Sequence, residues 1–179
     1  MTTQTILVRY GAIPEVARFA HELAEAPGRH ERVVVNSHRG VELGTVLEEL
    51  RPGLSAPSGT EMHEDLSETS GQRVLRRATS DDEALHAALK READEAFSQW
   101  QKRIQDWKLS LELLDVEWTL DRQKLVLYVL GDRGAETTKL ALQAAAAGLA
   151  VVEVQPVNSD GPVPLGAGGG CGSGSCGCH

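Results

Sequence analysis

Residues 111–130, LELLDVEWTLDRQKLVLYVL, constrain the fold more than any other part of this chain. In the first half, Val116, Trp118 and Leu120 alternate with Asp115, Glu117 and Thr119. A period of two puts apolar groups on one face of a strand and polar groups on the other. Residues 121–124 carry no apolar side chain and read as a short hairpin turn. Residues 125–130 follow as a nearly unbroken apolar run, the pattern of a central strand covered on both faces. The expected product is an antiparallel hairpin flanked by two helices, which explains a fold but holds no catalytic constellation.

The flanking helices have their own signals. Leu85, Leu89, Ala93, Ala96, Phe97, Trp100, Ile104 and Trp107 recur at steps of three and four, so the spacing predicts a helix over about residues 81–109. Ser80 with Glu83 reads as its capping box, and Asp81 and Asp82 complement the helix dipole. After a turn at 131–134, residues 135–147 form an alanine-rich helix closing at Gly148. Residues 149–155 then read as a final strand ended by Pro156. The order is α-β-β-α-β, an α+β sandwich with its helices on one face of the sheet.

The N-terminal part is built differently. Residues 3–9 read as a strand, and the β-branched runs 31–35 and 41–47, separated by a polar turn ending in Gly40, are a hairpin. Gly44 inside the second run suggests a bulge or bend. Residues 13–26 admit two readings. Pro14 with Val16, Phe19, Ala20 and Leu23 fits a helix, while local alternation fits a strand returning along the first. Several short strands within fifty residues argue for a small curled sheet or barrel. Residues 51–71, rich in Pro, Ser, Gly and Glu, read as a flexible linker, and 72–78 as one more strand. The expected layout is a β-barrel part at 1–50, the linker at 51–71, an α+β module at 72–157 and a disordered Gly/Cys-rich tail at 158–179.

A formal charge of −8 opposes unspecific binding to polyanions. No apolar run approaches the roughly 20 residues that span a bilayer, and the N-terminus has no secretory pattern, so a cytoplasmic protein without membrane insertion is expected. The three cysteines fall within the last nine residues, which excludes a disulfide-stapled scaffold. Cys171, Cys176, Cys178 and His179 could supply four ligands to zinc or an iron–sulfur cluster. Their C-x4-C-x-C-H spacing is not a standard pattern for either, and a mobile thiol tail that meets a partner is the competing reading. Glycines at 166 and 168–170 lack the Lys-Ser/Thr and the strand–loop–helix setting of a phosphate loop. His21, His30, His38, His63 and His86 have no pairing spacing and read as surface histidines. Arg73, Arg76 and Arg77 form the densest basic cluster, either a solvated face or a contact to a nucleic-acid backbone or a partner.

Four segments taken in order, RVVVNSHRGVELGTVLEE, LRRATSDDE, KREADEAFSQWQKRI and LLDVEWTLDRQKLVLYVLGDRG, resemble the C-terminal domain family named after polymerase suppressor protein one (PSP-one). The resemblance covers most of residues 6–157 outside the linker. It implies a small SH3-like barrel at the start, which favours the strand reading for residues 15–21. It also implies a non-enzymatic regulator or adaptor, working with protein partners in an RNA-processing complex around a membrane-attached endoribonuclease, ribonuclease Y, with RNA contact in some members. Bacterial members carry a cysteine on the long helix and a C-terminal G-C-x4-C-C segment that contribute to an iron–sulfur cluster. Here Cys171 and Cys176 fit that spacing, Cys178 comes one position late, and Trp100 stands at the helix position. The expectation is therefore a regulatory adaptor in RNA metabolism, with a metal- or cluster-binding tail as the alternative, and with Trp100 and Trp118 buried.

Overall fold

The computed structural model describes residues 4–50 and 71–164. Its fold is mixed α+β: a closed five-stranded barrel and a four-stranded sheet carrying two helices. Strands β1 (Gln4–Tyr10), β2 (Glu15–His21), β3 (Arg32–Asn36), β4 (Val41–Leu50) and β5 (Arg73–Arg77) close in the order β1-β2-β5-β3-β4. Alternation fills the barrel, with Ile6, Val8, Phe19, Val33, Val35, Val46 and Val74 inside. Tyr10 and Phe19 meet edge to face, ring centroids 5.4 Å apart.

The segment with two readings is a strand. β2 runs antiparallel to β1 from Gln4↔His21 to Tyr10↔Glu15. That pairing buries Ala17 and Phe19 and leaves Val16 50% exposed, so the period of two prevails over the helical stripe. Gly44 marks a close approach instead of a bulge. It pairs regularly with Val33, and a Cβ there would lie 2.3 Å from Val8 Cγ1. The shift in register lies further along β4, where Leu7 faces Glu48 and Val8 faces Val46. β5 lies beyond the segment read as a linker, all of which except Gly71 is outside the described residues, yet it sits between β2 and β3.

α1 (Ser80–Asp106) starts one residue before the expected box. Thr79 is the N-cap and Asp82, not Glu83, completes the reciprocal pair. The Asp82 carboxylate is also held by Arg76 from β5, which ties the cap to the barrel and decides between the two registers. The helix ends short of residue 109, with Trp107 as C-cap and Lys108 in the left-handed region at φ 54°. β6 (Glu112–Trp118) and β7 (Lys124–Leu130) form the expected hairpin. α2 (Ala135–Ala146) crosses to β8 (Val151–Asn158), parallel to β7, and Gly148 at φ 66° follows its cap. The sheet order is β6-β7-β8-β9, with β9 at Gly161–Pro162.

Two boundaries move. β8 does not stop at Pro156 but runs through it, because only the Pro156 carbonyl is used there, accepting from Val163 N–H and Gln155 Nε2. The tail expected from residue 158 begins as structure: Val163 is buried, and its carbonyl takes the buried Gln155 amide at 3.0 Å.

The apolar run of β7 is covered twice, as its sequence requires. Leu125, Leu127 and Val129 pack under Ala93, Trp100 and Ile104 of α1 and Leu140 and Ala144 of α2. Val126 and Tyr128 face the other way, onto Val157 and onto Ile13 of the β1–β2 turn. The second cover is thus the barrel. No helix among the described residues is long and apolar enough to cross a membrane.

Candidate functional site

Where barrel and sheet meet, the turn between β3 and β4 drives Arg39 into the interior. Ser37 N–H donates to the Gly40 carbonyl, closing the turn, and Ser37 Oγ accepts from Arg39 N–H. The Arg39 side chain is 0% exposed. Its Nη1 donates to Tyr128 Oη at 2.8 Å, and its Nη2 lies 3.1 Å from Glu42 Oε1. The guanidinium also stacks against the rings of Tyr10 and Tyr128, 5.0 and 5.6 Å from their centroids. Tyr128 donates onward to Glu117 at 2.6 Å and Tyr10 to Glu15 at 2.7 Å, while Ser37 is bonded to Glu42. Gly11, at φ 84°, brings the β1–β2 turn against this group; a Cβ there would lie 2.6 Å from Arg39 Nη2.

One cation thus faces three carboxylates, Glu15, Glu42 and Glu117, in a setting with little water. Burial pushes the Glu42 carboxyl up to about 7, against the pull of Arg39. Burial alone would weaken the Arg39 charge, but Glu42, Tyr128, Glu15 and Glu117 together raise its pKa above the ordinary arginine value. Burial and the neighbouring glutamates hold both tyrosines well above the ordinary phenol range. His38, beside Glu15 at 3.8 Å, is held down by burial despite that carboxylate. The arrangement suits a joint. It fastens two halves with fixed geometry.

Beside the joint lies a cleft of about 430 Å³. Tyr10, Gly11 and Ala12 form its barrel wall, His86, Leu89 and Lys90 of α1 the opposite wall, and residues 115–118 of β6 its floor. Ala12 N–H donates to Glu117 at 2.8 Å, so the same glutamate serves joint and cleft. Arg32 at the mouth is taken by Glu83 at 3.0 Å and Thr45 at 2.8 Å. Burial, then Arg32, lowers the pKa of His86.

The residues singled out in the sequence do not converge here. Arg76 pairs with Asp82, and Arg77 with Glu31 at 2.8 Å, so two of the three arginines hold the barrel rim and the helix cap. Arg73 is exposed and makes no ion pair among the described residues. Cys171, Cys176, Cys178 and His179 lie outside the described residues. Trp100 is only 4% exposed, packed in the main core under the Arg103 guanidinium, and an indole there offers a cluster no ligand. Among the described residues no three His, Cys, Asp or Glu are grouped to hold a metal ion. His21, read as a surface residue, is 2% exposed at the end of β2, since the period that buries Phe19 buries it too. The joint was missed because Arg39 reads as an ordinary turn arginine; the glycines Gly11 and Gly40 around it were the available signal.

Residues 72–140 match the family described as the PSP1 C-terminal conserved region. That stretch runs from β5 through α1, β6 and β7 into α2, so it takes in one barrel strand and most of the helix-bearing layer. The stage 0 sporulation protein YaaT of Bacillus subtilis (strain 168) is 32% identical over 100 residues, which are 56% of this chain and 33% of that protein. The chain therefore spans about a third of the length of the relative it matches. No solved structure matches. The likeness to the PSP1 C-terminal conserved region thus extends over residues 72–140 of this chain.

Proposed function

We propose that the protein is a non-enzymatic, cytoplasmic regulatory adaptor that acts through protein partners in RNA metabolism, adjusting messenger RNA processing. The observation that carries this reading is the use of the family-like segments. Arg39, Glu42, Glu117 and Tyr128 are spent on joining barrel to sheet, leaving an open cleft along the seam. A scaffold with an open cleft along its seam suits a partner-binding protein. The relative named for stage 0 sporulation fits a regulator of a cellular programme. Two of the three arginines considered for RNA contact are already ion-paired, which favours protein partners over direct binding of a phosphate backbone.

The test is affinity purification of the full chain from native cells with mass spectrometry, in parallel with a chain lacking residues 166–179. The same RNA-processing proteins should return with both. Loss of every partner on deleting the tail, together with stoichiometric iron and sulfide or zinc in protein purified without oxygen, would instead place the function in Cys171, Cys176, Cys178 and His179.

A further inference from the structure

The turn between β1 and β2, residues 11–14, lies across the buried Arg39 group as a strap. Gly11 rests directly on that group, where a Cβ would come within 3.1 Å of Tyr128 Oη as well as against Arg39 Nη2. Two contacts hold the strap down. Ala12 N–H donates to Glu117 at 2.8 Å, and Ile13 packs on Val126, Tyr128 and Val157. The strap is also part of the cleft wall, through Gly11, Ala12 and Pro14. The other covers of the group, β4, β6 and β7, are each bonded into a sheet, whereas the β1–β2 ladder runs only as far as Tyr10↔Glu15 and leaves the strap outside it.

The titratable side chains that face the group come from each surrounding element. β1 supplies Tyr10, β2 Glu15, the β3–β4 turn His38 and Arg39, β4 Glu42, β6 Glu117 and β7 Tyr128. Glu153 of β8 and Arg133 beyond β7 act on His38 from further off, and Glu153 is itself paired with Lys124 at 3.1 Å. With His38 neutral, Arg39 is the one cation against Glu15 and Glu117, so the group carries one excess negative charge, and ionising Glu42 makes it two. The Arg39 and Glu42 side chains are 0% and 4% exposed, so neither reaches water unaided. Excess buried charge is relieved by hydration. The strap is the cover that can lift without breaking a strand ladder.

We propose that the strap is a proton-controlled latch: it lies closed over the joint while Glu42 is neutral, and it lifts to admit water when Glu42 ionises, reshaping the cleft wall beside it. The direction follows from burial. The Glu42 carboxyl is pushed up from the ordinary 4.5 to about 7, so the closed form holds a proton that the hydrated, open form gives up. The closed form is therefore favoured at low pH, and its advantage is lost as pH rises from 4.5 through about 7. His38 works in the opposite sense. Burial holds its pKa below the usual histidine value, so its own protonation loosens the closed form as pH falls.

Amide hydrogen exchange of the full chain, followed by NMR with the intrinsic rate at each pH divided out, reads the strap. Protection of the Ala12 amide should fall about tenfold or more between about pH 5 and pH 8. The fall should level off at the pH where the Glu42 carboxyl carbon titrates in the same protein. Low urea should leave the Ala12 rate unchanged, because the strap opens locally, and should speed exchange at the Leu120 amide, which is bonded to the Val41 carbonyl at 2.7 Å. Glu42→Gln should make Ala12 protection independent of pH, and His38→Gln should leave the fall in place. The first three readings are made on wild type, so they stand even where Glu42→Gln does not fold. Protection that is flat or rises with pH, a plateau displaced from the Glu42 titration, or a urea response equal to that of Leu120 would overturn the proposal. So would a fall that persists in Glu42→Gln or disappears in His38→Gln.

Discussion

Replacing Arg39 by methionine should be among the most damaging single changes in this chain, and the structure sets the scale. Methionine keeps most of the volume, so the cavity contribution is small. What is lost is the cation beside the buried Glu42 at 3.1 Å, the bond to Tyr128 at 2.8 Å and the contact with two tyrosine rings. Glu15, at 3.9 Å and partly exposed, loses less. Removing one partner of a buried pair leaves an uncompensated charge, a change that costs about 3–5 kcal/mol in measured cases. Part of that is recovered because Glu42 takes a proton. Its carboxyl is already pushed up to about 7 by burial, and without Arg39 it moves higher. The destabilisation should therefore be larger at pH 9 than at pH 6, where Glu42 is protonated in both proteins. A second change, Glu42→Gln, should restore part of the loss, about 1–2 kcal/mol, by removing the orphaned charge. Urea unfolding followed by fluorescence of the three tryptophans measures all of this. A loss for Arg39→Met below about 1 kcal/mol at pH 8 would refute the joint as an energetic fastening between barrel and sheet.

Three further outcomes follow from the same geometry. Glu42→Gln should flatten the pH dependence of stability. The folded pKa of about 7 exceeds the ordinary 4.5, so the folded state holds the extra proton between those values, and wild-type stability falls as pH rises through that window, by about 3 kcal/mol in all; equal slopes for wild type and variant between pH 5 and 8 would contradict this. Gly44→Ala should destabilise the barrel by about 1–3 kcal/mol because its Cβ meets Val8 Cγ1 at 2.3 Å, and Val8→Ala should relieve the clash when combined with it; additive losses in the double variant would count against it. Trp100→Ala should lower stability by about 3–5 kcal/mol through the cavity left beneath α1, and a melting temperature unmoved from wild type would show the indole to be dispensable to the core.

Periodicity carried most of the architecture. The alternation of Val116 and Trp118 and the unbroken run from Leu125 were enough to give the hairpin and its double cover, because side-chain direction in a strand is fixed by backbone geometry. Residues 15–21 were ambiguous alone because helix and strand periods overlap over seven residues; the long pairing with β1 resolved them. Caps were displaced by one residue where two boxes overlapped, since the choice lay with Arg76 from another element. Long-range polar geometry was the least legible. Arg39 and Tyr128 are 89 residues apart, and no local pattern connects them. Ion pairing of Arg76 and Arg77 was hidden for the same reason, as a basic run shows charge but not the acids that meet it.

The way the barrel closes bears on the order in which the chain can fold. β5 joins β2 in parallel and β3 in antiparallel pairing, and it arrives only after β4 has been followed by the twenty-two residues 51–72. A fragment ending at residue 50 would carry four strands with β2 and β3 both unpaired on one side, a cylinder with an open seam and two sticky edges. Closure must wait for Arg73–Arg77 to emerge, and that strand hands straight over, through Asp82 gripped by Arg76, to the first turn of α1. Sealing the barrel and starting the long helix are therefore coupled events during synthesis. A cut placed between residues 50 and 71, where composition most invites one, would yield two pieces that each lack what the other completes.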